Sequence, residues 1–506
     1  MNHVQIVSRH MVLPEPVKSL PPERETTIDL TTWDLSMISL EYNQKGILLP
    51  KPPTTGGQGH HAVVERLASS LARALGRFYP YAGRLAVTPG SNAGGESIVI
   101  SLCCSMEGAE FVHAVAPGVT VADVISTPLR LRTPGVQVRS VFSLDGLHGV
   151  DAAVGSHPLL AAQVTELADG FFVAMSLSHV VADGTAFWHL FNTWSEISRR
   201  GCDGAISSPL PVHRRWFLDG CPVPVPLPFS RQEDIPVNRR TDEHPSSVKE
   251  ECFLNFPAEM IKKLKAKANA EMPGTSISSL QALLAHLWIA VCRARRLAPD
   301  QRTAYVLAVG CRGRVDGLPA AYAGNAVARV EAVPTAGEIL ERGLGWAASL
   351  LKRAVASFDV ASERGRHASW RQRPSFLRVP SRPTATAMMV MGARRGSART
   401  GTISGGGGRW ACRAAQRTAQ RTRWTGRRRP SRAGPAEGAW LWRCASRRRC
   451  SRGSWLTRSS CATPHSNLLL RAFPTAVLSA ARKNLFAARA SAGLARPPAL
   501  APAAAL

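Results

Sequence analysis

Two amino-acid vocabularies share this chain, and the point where one gives way to the other limits what can fold. Residues 361 to 506 hold 29 basic residues, all arginine except Lys483, against two acids, Glu363 and Glu437. That leaves 34 basic and 33 acidic residues in the first 360, so almost all of the net charge of +28 belongs to the tail. Aspartate is absent there, and six of the twelve tryptophans stand without apolar periodicity around them. A segment lacking that pattern has little to offset its ordering entropy. Order is therefore expected through about residue 355, and an unpacked, disordered tail from about 365 onward.

Upstream, the text alternates plausible strands and amphipathic helices. Val64, Leu67, Ala68, Leu71 and Leu75 share one face of a helix that ends at Phe78-Tyr79-Pro80. The apolar run Gln163 to Ser178 is broken by Asp169-Gly170 as a hairpin would be, making Phe171 to Ser178 an inner strand. Leu280 to Cys292 is apolar nearly all round and predicts a buried helix, followed by a strand over Ala304 to Val309. The Pro-rich stretch Leu210 to Pro228 predicts an irregular surface crossover between two domains.

Length and a hydrophobic content of 45% allow two cores without staples. The eleven cysteines form no C-x-x-C pair, so reduced thiols are expected, with no metal site and no disulfide framework. No run reaches the roughly 20 apolar residues of a membrane span, and MNHVQIVSRH does not have the layout of a signal peptide, so a cytoplasmic protein without a membrane partner is expected.

The chemistry centres on Ser178-His179-Val180-Val181-Ala182-Asp183-Gly184, between an apolar strand and a helix with Phe187, Leu190, Phe191, Trp194 and Ile197 on one stripe. H-x-x-x-D alone is a weak signal; its ordinary reading is a strand end whose Asp183 caps the next helix. An imidazole with a pKa near 6.5 nevertheless suits a general base. Gly184 is expected to permit close backbone passage where a side chain would narrow a substrate channel, while Ser178 and His189 read as packing or capping residues. His60-His61 follows a Gly-rich loop with no third ligand nearby, and Gly405 to Gly408 has neither a preceding strand nor a P-loop lysine, so neither predicts a ligand site.

Several phrases together resemble the plant BAHD acyltransferases. Asp29 to Leu35 with Tyr42 to Gly46 looks like that family's opening region, and Leu71 to Leu85 is similar to "L-x-x-x-L-x-x-F-Y-P-x-A-G-R". His179 to Gly184 matches its H-x-x-x-D-G block, and Cys311 to Arg314 with Tyr322, Gly324, Asn325 and Ala326 matches "R-x-R … Y-x-G-N-A". The resemblance covers about residues 4 to 355. It implies an α/β fold of two chloramphenicol-acetyltransferase-like domains: residues 1 to 205 with the H-x-x-x-D motif, a crossover over 206 to 244, and an incomplete second domain over 245 to 360.

It further implies transfer of an acyl group from acyl-CoA, as co-substrate and not as a bound cofactor, to a hydroxyl or amine of a small plant metabolite. His179 would be the general base, and Asp183 a structural anchor paired with an arginine, with Arg312 the expected partner. Thr32, Trp33, Tyr322 and Asn325 are expected along the substrate channel. A monomer without metal or nucleic acid is expected.

The family's second signature, Asp-Phe-Gly-Trp-Gly, is missing from the protein. Gly401 to Gly407 can be encoded by GGA ACG ATT TCG GGT GGG GGG, which in a shifted frame reads Asn-Asp-Phe-Gly-Trp-Gly. Gly392 to Gly401 permits Gly-Ser-Ser-Pro-Arg-Phe-Gly, one free position and Tyr-Gly in the same frame. The tail is therefore expected to be out of frame. Two alternatives stay open: a catalytically impaired remnant, and a protein that uses its Arg-rich tail on nucleic acid.

Overall fold

The computed structural model describes residues 4–17, 25–51, 60–92, 95–126, 138–154, 157–201, 205–218, 221–237 and 249–376, and four strands beyond them, at 387–390, 401–405, 409–413 and 439–447. It is a mixed α/β structure with two principal hydrophobic cores. The first contains Leu71, Phe78, Phe111, Leu177, Phe187 and Trp194; the second contains Ile277, Trp288, Tyr305, Ala347 and Leu351.

The first domain is organised by a six-stranded sheet in the order Gln5–Val12, Ala109–Ala116, Leu160–Leu167, Gly170–Leu177, Asn43–Pro50 and Gly401–Gly405. Ala109–Ala116 and Leu160–Leu167 pair in parallel, and the remaining pairs are antiparallel. All eight residues of Gly170–Leu177 are buried, as expected of a strand covered on both faces. Asp169-Gly170 makes the tight connection between Leu160–Leu167 and this strand, and the helices His60–Arg77 and Gly184–Arg200 pack against each other. Val64, Leu71 and Leu75 lie in the core, with Leu67 and Ala68 packed against it, so the helical periodicity names the buried face.

The crossover is mostly irregular, with one departure from expectation. Pro226–Leu227 forms a short strand on Ile98 and Val99; an edge position tolerates proline because one side of the strand needs no donor. Val212 also bridges to Tyr322 of the second domain.

The second domain is the less complete. It has two three-stranded sheets: Val327–Ala332, Ala304–Gly310 and Ala387–Val390 in one, and Lys249–Phe256, Ala439–Arg447 and Arg409–Arg413 in the other. Each draws at least one strand from beyond residue 386. Ser279–Arg295 is the expected buried helix, begun by a capping box in which Ser278 and Gln281 satisfy each other's backbone N–H groups.

Structure continues past the boundary expected near 360. Val360–Gln372 is a helix capped by Asp359, whose carboxylate accepts from the Ser362 N–H at 2.8 Å. Its buried residues are Glu363 and His367, so polar contacts, not an apolar stripe, attach it. Further on, the strands Ala387–Val390, Gly401–Gly405, Arg409–Arg413 and Ala439–Arg447 join sheets where an unpacked tail was expected; the remaining residues after 376 lie outside the described ones. Among the described residues no helix is long and apolar enough to cross a membrane.

Trp288 is fully buried, donates from Nε1 to Thr303 Oγ1 at 3.0 Å and meets Tyr305 edge-on at 5.1 Å. Trp288→Ala is expected to destabilise the protein by about 3–5 kcal/mol. Guanidinium unfolding of the variant checks this; an unchanged midpoint would mean that the second core does not depend on this layer.

Candidate active site

The buried strand Gly170–Leu177 sets the site. Beyond its end, the Ser178 N–H donates to the Leu159 carbonyl at 2.8 Å, and His179, Val180 and Val181 form a turn closed by Val181 N–H to the Ser178 carbonyl at 3.3 Å. Asp183 then takes an extended conformation (φ −82°, ψ 179°) and caps the helix Gly184–Arg200. Its Oδ1 accepts from the Thr185 and Ala186 N–H groups, both at 2.9 Å. This is the ordinary capping geometry, reinforced by the helix dipole.

The other carboxylate oxygen faces the second domain. Arg312 Nη1 donates to Asp183 Oδ2 at 2.5 Å, and the Ala326 N–H donates to the same oxygen at 3.0 Å. Arg312 Nη2 donates to the carbonyls of Tyr322 and Gly324, each at 2.7 Å, and Nε donates to Tyr322 at 3.1 Å. A guanidinium suits this place because its planar fork serves three carbonyl and carboxylate acceptors at once. With both oxygens engaged in this way, Asp183 serves the helix start and the second domain.

A second buried carboxylate, Asp34, lies on the same seam. Its Oδ2 accepts from Thr31 N–H at 3.0 Å and Thr31 Oγ1 at 2.8 Å, and its Oδ1 accepts from Asn325 N–H at 3.1 Å and Nδ2 at 2.9 Å. Arg215 Nε stands 3.4 Å from Asp34 Oδ2 as an ion pair, and Arg215 Nη2 donates to the Val181 carbonyl at 3.1 Å. Asn325 Nδ2 also reaches the carbonyls of His179 (2.8 Å) and Val180 (3.1 Å). The backbone of the motif is thus held from both domains and from the crossover.

His179 itself is only partly shielded by surface area, yet the environment of its ring is dense enough to push its pKa below the usual imidazole value. Burial is the largest cause and the charge of Lys45 adds to it; the residue's own carbonyl, Asp183 and Asn325 oppose them. The ring is therefore held neutral near pH 7, the state in which it can accept a proton.

Four further residues were expected along a substrate channel. Thr32, Trp33, Tyr322 and Asn325 are all buried, and each has a polar group engaged by protein partners. Thr32 Oγ1 is hydrogen-bonded to His367 Nδ1, and Trp33 Nε1 donates to Glu363 Oε1 at 2.9 Å. His367 Nε2 lies 3.2 Å from Glu363 Oε1, with its ring edge-on to Trp33. The Tyr322 hydroxyl accepts from the Trp216 N–H at 3.4 Å.

A Cβ on Gly184 would meet nothing within 4 Å, so this position borders open space. Ser178 is fully buried, and His189 lies against Phe78 with Nε2 3.0 Å from the Pro209 carbonyl. The His61 ring is an exposed partner of Glu65; the side chain of His60 and residues 406–408 lie outside the described residues. Among the described residues no group of three or more His, Cys, Asp or Glu is arranged to hold a metal.

Arg215, Glu363 and His367 are site neighbours that the sequence does not single out, and Asp34 is marked only as part of the family's opening phrase, with no role given to it. Thr31-x-x-Asp34 has the spacing of a capping box and could have pointed to Asp34. Arg215 sits in Pro-rich text with no local signal of burial. Glu363 and His367 are four apart on a polar helix, which apolar periodicity cannot detect.

Arg312→Met should leave a buried Asp183 carboxylate without its counter-charge and destabilise the protein by about 3–5 kcal/mol. The double variant Asp183→Asn/Arg312→Met should recover much of that loss. Urea unfolding of the three variants tests this; additive losses would mean that the two side chains are not energetically coupled.

A family model described as the Transferase family matches residues 2–398. An uncharacterized acetyltransferase of Arabidopsis thaliana is 34% identical over 354 residues, which cover 69% of this chain and 74% of that protein. The BAHD acyltransferase DCR of the same plant is 30% identical over 392 residues, covering 74% and 76% of the two chains. Among solved structures, F. graminearum TRI101 complexed with coenzyme A and deoxynivalenol shares the fold, with a TM-score of 0.61 at 16% identity over 84% of this chain and 96% of that one. By the length of these matches the chain belongs to the Transferase family, as one of the plant BAHD acyltransferases.

Proposed function

We propose that this site transfers an acyl group from acyl-CoA to a hydroxyl or amine of a small plant metabolite, with His179 as the general base. The observation that carries the reading is the division of labour at the strand end. Asp183 is committed to Arg312, Ala326 and the helix N-terminus, while the His179 imidazole beside it is kept neutral by burial. A hydroxyl attacks a thioester poorly until a base takes its proton. His179 Nε2 would accept that proton as the acceptor oxygen or nitrogen bonds to the thioester carbonyl carbon. The tetrahedral oxyanion then collapses, the carbon–sulfur bond breaks, and the proton on Nε2 passes to the CoA thiolate. No acyl-enzyme is needed. Asp183 and Arg312 act by holding the turn and the second domain in register. TRI101, with coenzyme A and a small acceptor in its structure, supports the choice of substrate classes.

A second reading, an impaired remnant of such an enzyme, is favoured by one observation. The family match stops at residue 398, just before the codons that can spell Asn-Asp-Phe-Gly-Trp-Gly in a shifted frame. On this reading the missing stretch would have completed the second domain and helped to position both substrates, and positioning supplies much of the barrier reduction.

Both readings are tested by measuring CoA thiol released from an acyl-CoA with a panel of alcohols and amines, for this chain and for one with the upstream frame restored near codons 355 to 390. Turnover is expected to be strong after repair and weak without it, and His179→Ala in the repaired protein should lower the rate by about 10²- to 10⁴-fold. Equal activity of the two chains would overturn the remnant reading. Undiminished activity of His179→Ala would overturn the general-base assignment.

A further inference from the structure

We infer that Asn325 is a positioning residue that sets the tautomer of His179, holding the ring in the form whose free lone pair is on Nε2. The inference rests on the proposed role of His179 as a base and adds a second residue to it, supplied by the other domain.

The orientation of the Asn325 amide is determined by its surroundings. Nδ2 lies 2.9 Å from Asp34 Oδ1, 2.8 Å from the His179 carbonyl and 3.1 Å from the Val180 carbonyl. All three neighbours are acceptors, and only an NH₂ group can face them. The flipped amide would set its oxygen against a carboxylate and two carbonyls. Asn325 Oδ1 must therefore point away from this cluster, and there it is buried without a hydrogen-bond partner. His179 Nδ1 is likewise buried and unpartnered.

Buried polar atoms left unmatched are rare, because each has given up water for nothing. Asn325 Nδ2 donates to the carbonyl of His179 itself at 2.8 Å, so the amide is seated against this residue, and its side chain is among the groups that favour the protonated form of the ring. Oδ1 has no proton to give. A contact between the two atoms is favourable only if the proton is on Nδ1, and a neutral imidazole with Nδ1 protonated keeps its lone pair on Nε2. Hydrogen bonds at catalytic residues are often long in the unliganded protein and tighten when substrate closes the site.

The same contact has a second consequence. When Nε2 takes the acceptor proton, the ring becomes a cation and its Nδ1–H a stronger donor, so Oδ1 stabilises the imidazolium more than the neutral ring. The Nδ1 proton stays where it is throughout; only the Nε2 proton moves, first from the acceptor and then to the thiolate. Asp34 holds the amide, the amide aims its oxygen, and the oxygen selects the ring nitrogen. The rival arrangement is a ring oriented by its own backbone carbonyl alone.

The test uses the full chain with ¹⁵N-labelled histidine and a long-range ¹H–¹⁵N spectrum, with the His179 signals assigned by their loss in His179→Gln. The unmodified protein should show His179 protonated on Nδ1. A ring protonated on Nε2 would overturn the inference without any variant and without any turnover, so this outcome is distinct from a failure of the acyl-transfer reading. In Asn325→Ala the ring should move to the Nε2–H tautomer or a mixture of the two, and its titration should shift to lower pH. An unchanged spectrum in Asn325→Ala would show that the ring's own carbonyl suffices and would overturn the role of Asn325. In the frame-restored protein, Asn325→Ala should lower kcat about tenfold or more with KM for acyl-CoA unchanged, and a change confined to KM would contradict a positioning role.

Discussion

The Asp183 carboxylate is the interaction on which the rest of the site depends. It is fully buried, and a charge taken out of water is tolerated only when its oxygens are met by donors and a counter-charge. It has both: two N–H groups of its own helix, one N–H of the second domain, and Arg312. Two pieces of chain distant in sequence are therefore drawn to one point: the turn and helix start on either side of Asp183, and the loop after Ala304–Gly310. Asp34 repeats the device a short way along the seam, where it gathers Thr31, Asn325 and Arg215.

This arrangement separates two roles that H-x-x-x-D might suggest are joined. In a dyad the carboxylate would orient the imidazole; here its oxygens are occupied elsewhere, and the histidine is served by backbone and by an amide from the opposite domain. The consequence is electrostatic as well as geometric. A charged partner bonded to the ring would raise its pKa, whereas burial lowers it and leaves a neutral base. The helix Val360–Gln372 belongs to the same neighbourhood, since Glu363 and His367 occupy the hydrogen-bonding groups of Trp33 and Thr32.

What the sequence made legible follows the range of the interactions. Local ones are written in neighbouring residues: the apolar stripe of His60–Arg77, the hairpin at Asp169-Gly170, the buried run Ser279–Arg295 and the cap at Asp183. Arg312 lies 129 residues from Asp183, and nothing in the intervening text marks the pairing; it came from family resemblance. The Asp34–Arg215 pair left no trace because Arg215 stands in Pro-rich text that reads as surface. Thr32, Trp33, Tyr322 and Asn325 were recognisable as residues of the site, but their burial and hydrogen-bond partners were not, since motif spacing does not report which way a side chain faces. Val360–Gln372 escaped because its buried positions are a glutamate and a histidine, which an apolar pattern cannot reveal.

The central claim, a neutral His179 acting as proton acceptor, is tested most directly by the pH dependence of kcat/KM for acyl transfer in the frame-restored protein. A base must be unprotonated to work, so the rate should fall as pH drops through the pKa of the free enzyme's imidazole. Because burial lowers that pKa, the acid limb should lie below the ordinary histidine value of about 6.5. An acid limb at or above about 6.5, or the same acid limb in the residual activity of His179→Gln, would contradict the account.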